Sequence, residues 1–469
     1  MCVPYDTDMR TVDMYTTLNP ATGETLRQFP FHTDSQIEDR LALAVKAQRK
    51  WRHGDGVERA DLLKRVALVL RQRRSELGHL ITLEMGKPIH EAEGEIDKCA
   101  WNFEHYAAQA ATYLADEVIP SSAADSRVVY DPIGIVLAVM PWNYPFWQVM
   151  RFAAPAIAAG NAAVLKHASN VPQCAMALES VFIEAGAPEG LFINLLVPGS
   201  QVSRLIADPR IVAVTLTGST PVGMQVASQA GSLLKKQVLE LGGSDPFIVL
   251  ADADVEAAAK VAAKARFSNT GQSCISAKRF IVESAIAERF VQAFLACAQK
   301  LIVGDPMDRN VDMGAMARTS LRADLHDQVV RSVDAGAHLL LGGKIPNGAG
   351  AFYPATVLDF VSPEMAAATE ETFGPVAAIL RVPDADAAIA LANDTVFGLG
   401  AALWTADLGK AAGLSRRIEA GAVFVNGMVA SDPRLPFGGI KQSGYGRELG
   451  AWGIREFTNT KLVWTGPAH

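Results

Sequence analysis

Three residues of this chain have the side chains and the surroundings for carbonyl chemistry. Cys274 ends the small, polar run Ser268-Asn269-Thr270-Gly271-Gln272-Ser273-Cys274, with Lys278 and Arg279 just beyond it. A turn near cations is where a thiolate nucleophile can be stabilised, whereas a cysteine in an apolar segment is a small packing residue. Cys99, Cys174 and Cys297 fall in helical segments and are expected to be such packing residues. Glu240 lies in Val238-Leu239-Glu240-Leu241-Gly242-Gly243. An acid there is either buried, with a carboxyl raised toward neutrality and fit for a general base, or turned outward to Lys235 or Lys236. Asn143 sits in Met140-Pro141-Trp142-Asn143-Tyr144-Pro145. Its amide either donates to a developing oxyanion or caps the helix that Pro145 begins.

A fourth feature is Thr217-Gly218-Ser219-Thr220-Pro221, small residues between a β-like run and a helix start. Unpaired N–H groups and the helix dipole make such a place attractive to phosphate, and Ser219 or Thr220 would equally serve as a plain N-cap. No G-x-G-x-x-G follows a strand.

These side chains need rigid elements to hold them. Short β-branched runs at Ile133–Met140, Ala162–Lys166, Ile211–Thr215 and Phe247–Leu250 alternate with helical stretches near Pro145–Ala159, Val171–Ala185 and Pro221–Ala230. That order predicts a parallel, doubly wound α/β sheet, whose ligands lie beyond the carboxyl ends of its strands. A second α/β series begins near Asp252 and runs to Asn426. Ahead of both, Val57–Met85 reads as one amphipathic helix, with Arg71, Arg73 and Arg74 on a solvated face, and Pro88–Leu114 as another.

At 469 residues the chain is too long for one ordinary core. Against 43 Lys and Arg stand 50 Asp and Glu, a net charge of −7, so nucleic acid is not expected as a partner. The uncharged stretch Pro132–Met150 is punctuated by Pro141 and Pro145, so no membrane span is expected. The five cysteines, Cys2 included, show no metal-site or redox-pair spacing, and Met1–Arg10 has no secretory pattern. No metal and a cytoplasmic location are therefore expected.

Taken together, the motifs resemble those of the aldehyde dehydrogenase superfamily. The likeness runs from Asn19-Pro20-Ala21-Thr22-Gly23-Glu24 through Glu84-Met85-Gly86-Lys87-Pro88, the Asn143 turn, Gly218-Ser219-Thr220, Glu240-Leu241-Gly242-Gly243 and the Cys274 turn. It continues through Glu371-Thr372-Phe373-Gly374-Pro375 to Pro436-Phe437-Gly438-Gly439. The resemblance implies that Cys274 attacks an aldehyde, Asn143 steadies the oxyanion and Glu240 activates the water that clears the thioester. It implies a nucleotide held by Pro141, Trp142, Lys166, Gly218, Ser219, Leu241, Glu371 and Phe373. Ser169 stands where NAD-preferring members often carry a glutamate, so NADP is expected to be used well, with NAD as a second cofactor.

The chain is most similar to the shorter bacterial succinate-semialdehyde dehydrogenases. Arg151, one helical turn after Trp147, and Ser431 are the expected partners of a substrate carboxylate, with Arg434 in reserve. An ion pair across a domain seam is the other reading of Arg151. Dehydrogenation of uncharged aliphatic aldehydes, cysteine acyl hydrolysis without redox chemistry, and a binding protein without activity are the competing functions. The resemblance further implies a cofactor domain (1–116 and 133–243), a catalytic domain (244–445) and a small β oligomerisation arm (117–132 and 446–469), assembled as a homodimer or homotetramer. Ser276 replaces the second cysteine that traps the nucleophile in some relatives.

Overall fold

The computed structural model describes residues 14–466; Cys2 and the Met1–Arg10 segment lie outside them. Two sheets dominate. The first is ordered Gly444–Tyr445, Lys236–Glu240, Ile211–Thr217, Ile135–Val139, Ala162–Lys166, Phe192–Asn194, and only the short Gly444–Tyr445 edge runs antiparallel. The chain starts this sheet at Ile135–Val139, moves outward to Phe192–Asn194, then returns on the other side with Ile211–Thr217. The strand order therefore reverses between Ile135–Val139 and Ile211–Thr217, and a crevice opens beyond their carboxyl ends. Both faces are covered by helices, so Ala162–Lys166 is buried at every position and reads as a continuous apolar run up to its lysine.

The second sheet is ordered His338–Leu341, Thr356–Asp359, Val376–Val382, Ala277–Glu283, Asp245–Val249, Gly400–Trp404, Ala422–Val425, and is parallel except at His338–Leu341. Its first strand follows directly on the last parallel strand of the first sheet. The Leu241–Ser244 link thus carries the chain from the carboxyl end of one sheet to the amino end of the other. Cys274 lies just before Ala277–Glu283, at that same amino end. The expected two doubly wound units are present, with Asp125–Pro132, Glu117–Val118 and Thr458–Thr465 as a separate three-stranded antiparallel sheet.

The amphipathic segment expected as one helix is two, Gly56–Gln72 and Arg74–Met85. Arg73 leaves helical geometry at the break and ties to Glu76, Ser180 and Glu184. Arg71 and Arg74 are likewise paired, with Glu104, Asp97 and Glu93, so the basic cluster is occupied by carboxylates.

Two buried glutamates fasten the helical layer to the first sheet. Glu84 accepts from the N–H groups of Gln173 and Cys174, each at 2.9 Å, at the start of the helix Pro172–Glu184. Glu95 accepts from Phe146 and Trp147 at 2.8 and 2.9 Å, capping the helix Trp147–Ala158, and also pairs with Lys87. Each satisfies orphan donors at a helix start.

Arg266, fully buried at the end of the helix Val255–Phe267, donates to the carbonyls of Ala277, Gly271, Thr372 and Gly374. It holds the Cys274 turn and the Glu371 loop in one frame. Arg266→Met should leave those acceptors unpaired and lower the thermal midpoint by roughly 5 °C or more, with loss of activity. A midpoint within a degree of the wild type would show that this frame does not depend on Arg266.

Candidate active site

The cysteine turn has an enforced shape. Asn269 and Thr270 take left-handed backbone angles, φ 54° and 53°, ahead of Gly271 at φ 69°. A Cβ at Gly271 would collide with the Gly374 carbonyl, so glycine is required there. Asn269 repays its strained geometry with hydrogen bonds from Nδ2 to the carbonyls of Asn143 and Gln272, at 2.9 and 3.0 Å. Lys278 Nζ donates to the carbonyls of Ser273, Cys274 and Ser276 at 3.1, 2.8 and 3.4 Å. Its hydrogen bonds go to backbone oxygens and its charge faces Glu371, 3.6 Å away, while Arg279 is turned away to the carbonyls of Ser244, Leu391 and Ala392. Burial outweighs the pull of Arg151 and Lys278 on the thiol, which is pushed up to about 12. The sulfur is a thiol at neutral pH and needs a base to become a nucleophile.

Cys274 lies where two cavities meet. One, of about 240 Å³, is lined by Pro141, Trp142, Asn143, Gly218, Ser219, Leu241, Glu371 and Phe373. It opens at the strand-order reversal of the first sheet. The other, of about 440 Å³, is lined by Trp147, Arg151, Ser431, Phe437 and Lys98. Cys274 is the one residue lining both. Asn143 points its amide into the same turn, Nδ2 donating to the Gln272 carbonyl at 3.2 Å.

Glu240 ends its strand with a side chain 2% exposed and neither carboxylate oxygen hydrogen-bonded among the described residues. Lys235 instead donates to the carbonyls of Ile206 and Asp208, and Lys236 faces Glu456, so the outward pairing is not adopted. Burial pushes the Glu240 carboxyl up; Arg151 opposes this and Glu448 adds to it. Arg151 is fully buried, paired through Nε with Glu448, and its guanidinium lies 4.7 Å from the centre of the Phe437 ring. Arg151 thus lines the larger cavity and also forms an ion pair with Glu448 of the C-terminal loop. Arg434 is fixed on Asp432 at the surface.

The donor set along the smaller cavity suits a dinucleotide. Phe373 meets Trp142 edge to face, centroids 5.7 Å apart, as an aromatic wall. Ser219 stands at the N-cap of the helix Thr220–Ser232 with no side-chain capping bond. Glu371 accepts from the Gly243 N–H at 3.0 Å and lies so close to Gly242 that a Cβ there would overlap its carboxylate. Lys166 and Ser169 are not in this cleft. Ser169 lines a separate cavity of about 390 Å³ with Asn170 and Arg318. Burial and the nearby Arg318 draw Lys166 down to about 8, a cation suited to meeting an anion there.

Sequence reasoning missed Glu448, Lys98 and Arg318. For Lys98 a signal existed: Glu91, Glu95, Lys98 and Asn102 repeat at helical spacing along Ile89–Tyr113, a polar stripe on a face that also carries Ile96, Cys99 and Phe103 close by. Glu448, in Gly446-Arg447-Glu448-Leu449-Gly450, reaches Arg151 only through the tertiary fold.

A profile described as Aldehyde dehydrogenase family matches residues 7–463. A Synechocystis protein named probable succinate-semialdehyde dehydrogenase (NADP(+)) is 52% identical over 96% of this chain and 99% of its own length. An Escherichia coli protein named succinate semialdehyde dehydrogenase (NAD(P)+) is 48% identical over 95% of this chain and 97% of its own. The crystal structure of succinic semialdehyde dehydrogenase from Streptococcus pyogenes in complex with NADP+ superposes with a TM-score of 0.94 at 39% identity, covering 97% of this chain and 100% of that one. The resemblance read from the motifs is borne out across nearly the whole length, and the chain belongs to the aldehyde dehydrogenase family.

Proposed function

We propose that this enzyme oxidises succinate semialdehyde to succinate with NADP, and with NAD as a second acceptor. The observation that carries the reading is the placement of Cys274 between a cleft suited to a dinucleotide and a cavity that holds cationic side chains. The names of the relatives support it. Acyl hydrolysis without redox chemistry would leave Glu371, Phe373 and the Lys166 neighbourhood without a task.

In this reading Cys274 Sγ, its proton passed to solvent, bonds to the aldehyde carbon as the carbonyl pair moves onto oxygen, giving an oxyanion; departure of that carbon's hydrogen as hydride then leaves a thioester. The Asn143 amide and the Cys274 backbone N–H hold that charge. Bound NADP, gripped by Pro141, Trp142, Lys166, Ser169, Gly218, Ser219, Leu241, Glu371 and Phe373, would supply the hydride acceptor. Glu240 then takes a proton from water as its oxygen bonds to the thioester carbon; the C–S bond breaks, giving the acid and restoring the thiol. The enzyme surroundings favour a proton-accepting Glu240 because burial lifts its basicity. Arg151 and Ser431 line the substrate cavity.

We also assign 1–116 and 133–243 to a cofactor domain, 244–445 to a catalytic domain, and 117–132 with 446–469 to an oligomerisation arm. Exposed Val118, Ile119, Leu462, Val463 and Trp464 on the arm sheet support a homodimer or homotetramer. A cytoplasmic location accords with Cys99, Cys174, Cys274 and Cys297 all being free thiols.

Appearance of reduced nicotinamide with succinate semialdehyde, and none without aldehyde, tests the reaction; ester turnover without nucleotide would favour the hydrolase. Glu240→Gln should lower steady-state turnover by roughly 10²–10⁴-fold while a first burst of reduced nicotinamide persists. In the wild type, thioester hydrolysis should rise with pH and level off once Glu240, pushed up to about 8, is ionised; a flat profile would remove it as the base. Ser169→Glu should repel a 2′-phosphate and shift preference toward NAD, and an unchanged NADP-to-NAD ratio would leave Ser169 without that role. Trp464→Lys should reduce the particle mass seen by light scattering if the arm assembles subunits.

A further inference from the structure

Three cations line the larger cavity, Lys98, Arg151 and Lys264, and they are not equivalent. Lys264 shares the wall with Glu91, whose carboxyl it acts on. Arg151 has its charge balanced inside the protein by Glu448 and its plane laid against Phe437. Lys98, on the helix Ile89–Tyr113, has an ammonium 4.4 Å from the centre of the Trp147 ring and donates to Ser431 Oγ at 2.7 Å, its one hydrogen-bond partner among the described residues. The carboxylates whose charge it feels, Glu95 and Asp432, are committed elsewhere. Glu95 is held by Lys87 and two backbone N–H groups, and Asp432 by the guanidinium and N–H of Arg434. Three elements therefore bring an ammonium and a hydroxyl together in the wall of the cavity that Cys274 lines, and the two carboxylates of that wall are held by other donors, Glu91 by the Asn269 N–H and Glu95 as above.

We propose that Lys98 and the Ser431 hydroxyl bind the remote carboxylate of the substrate, making Lys98 a residue that determines specificity for carboxylated aldehydes. This rests on the proposed reaction and adds a residue to it. Lys98 can donate one N–H to Ser431 Oγ and another to a carboxylate oxygen, while the Ser431 O–H donates to the same carboxylate. Burial and the neighbouring Arg151 draw the Lys98 ammonium down to about 8, and an arriving carboxylate relieves both effects. An uncharged aldehyde gains nothing from either group. Arg151, already matched by Glu448, contributes to the positive field but does not face an empty anion position.

The test compares succinate semialdehyde with butanal, of the same carbon count, using the NADP-loaded full-length enzyme. Lys98→Met keeps the apolar stem against Trp147 and removes the charge. It should raise KM for succinate semialdehyde by roughly tenfold or more, with a much smaller change for butanal, and weaken inhibition by the product succinate in parallel. Lys98→Arg should recover most of the selectivity. Ser431→Ala, should Lys98→Met not fold, should lose part of the same selectivity. Equal effects on both aldehydes, or full selectivity retained in every variant, would overturn the role of Lys98 while leaving the proposed reaction standing. A wild-type enzyme that does not distinguish the two aldehydes would overturn both.

Discussion

Five carbonyl oxygens around Cys274 are turned toward two buried cations. Arg266 gathers those of Gly271 and Ala277 together with two from the Glu371 loop, and Lys278 gathers those of Ser273, Cys274 and Ser276. Buried carbonyls must find donors, and the turn's own backbone supplies only some of them, to Asn269 and Ser273. The cations therefore fix which way the peptide planes face, and with the planes fixed the cysteine side chain projects to the seam between the sheets. The nucleophile is positioned by where its backbone oxygens are satisfied.

The same seam explains why acids and amide arrive there from distant stretches of chain. Strand ends of the first sheet present the Asn143 turn, Gly218 and Glu240, while the second sheet presents Cys274 from its amino end. Carboxyl ends of one sheet thus confront the amino end of the next, joined by a link of small residues. Gly242 permits Glu371 to approach the link closely, and Gly243 leaves room for the Cys274 carbonyl. Behind this arrangement, Glu84 and Glu95 lock the helix starts that would otherwise leave buried N–H groups bare.

Much of this was legible in the sequence because it is local. Alternation of β-branched and alanine-rich runs predicted the strands, and punctuation by glycine and proline marked the Cys274, Asn143 and Gly218 turns. The break at Arg73 was not legible; there Arg73 binds Glu76 nearby and Ser180 and Glu184 more than a hundred residues away on another helix. Nor was the pairing of Arg151 with Glu448, which depends on a C-terminal loop folding back onto the first sheet. Residue type suggested that Arg151 was a cation awaiting an anion. The fold reveals that it already has one, and that Lys98, on the polar stripe of Ile89–Tyr113, reaches the same cavity.

The protonated state of the sulfur has one more consequence. Peroxides attack thiolates, and oxidation proceeds to a sulfenic acid and then irreversibly beyond it unless a second thiol intercepts the first product. Here Ser276 stands where an intercepting thiol would be, so no such rescue is built into the turn. A thiol kept neutral by its surroundings presents little anion for a peroxide to find. The same burial that lowers the fraction of anion a peroxide could attack is what makes a base necessary for the chemistry.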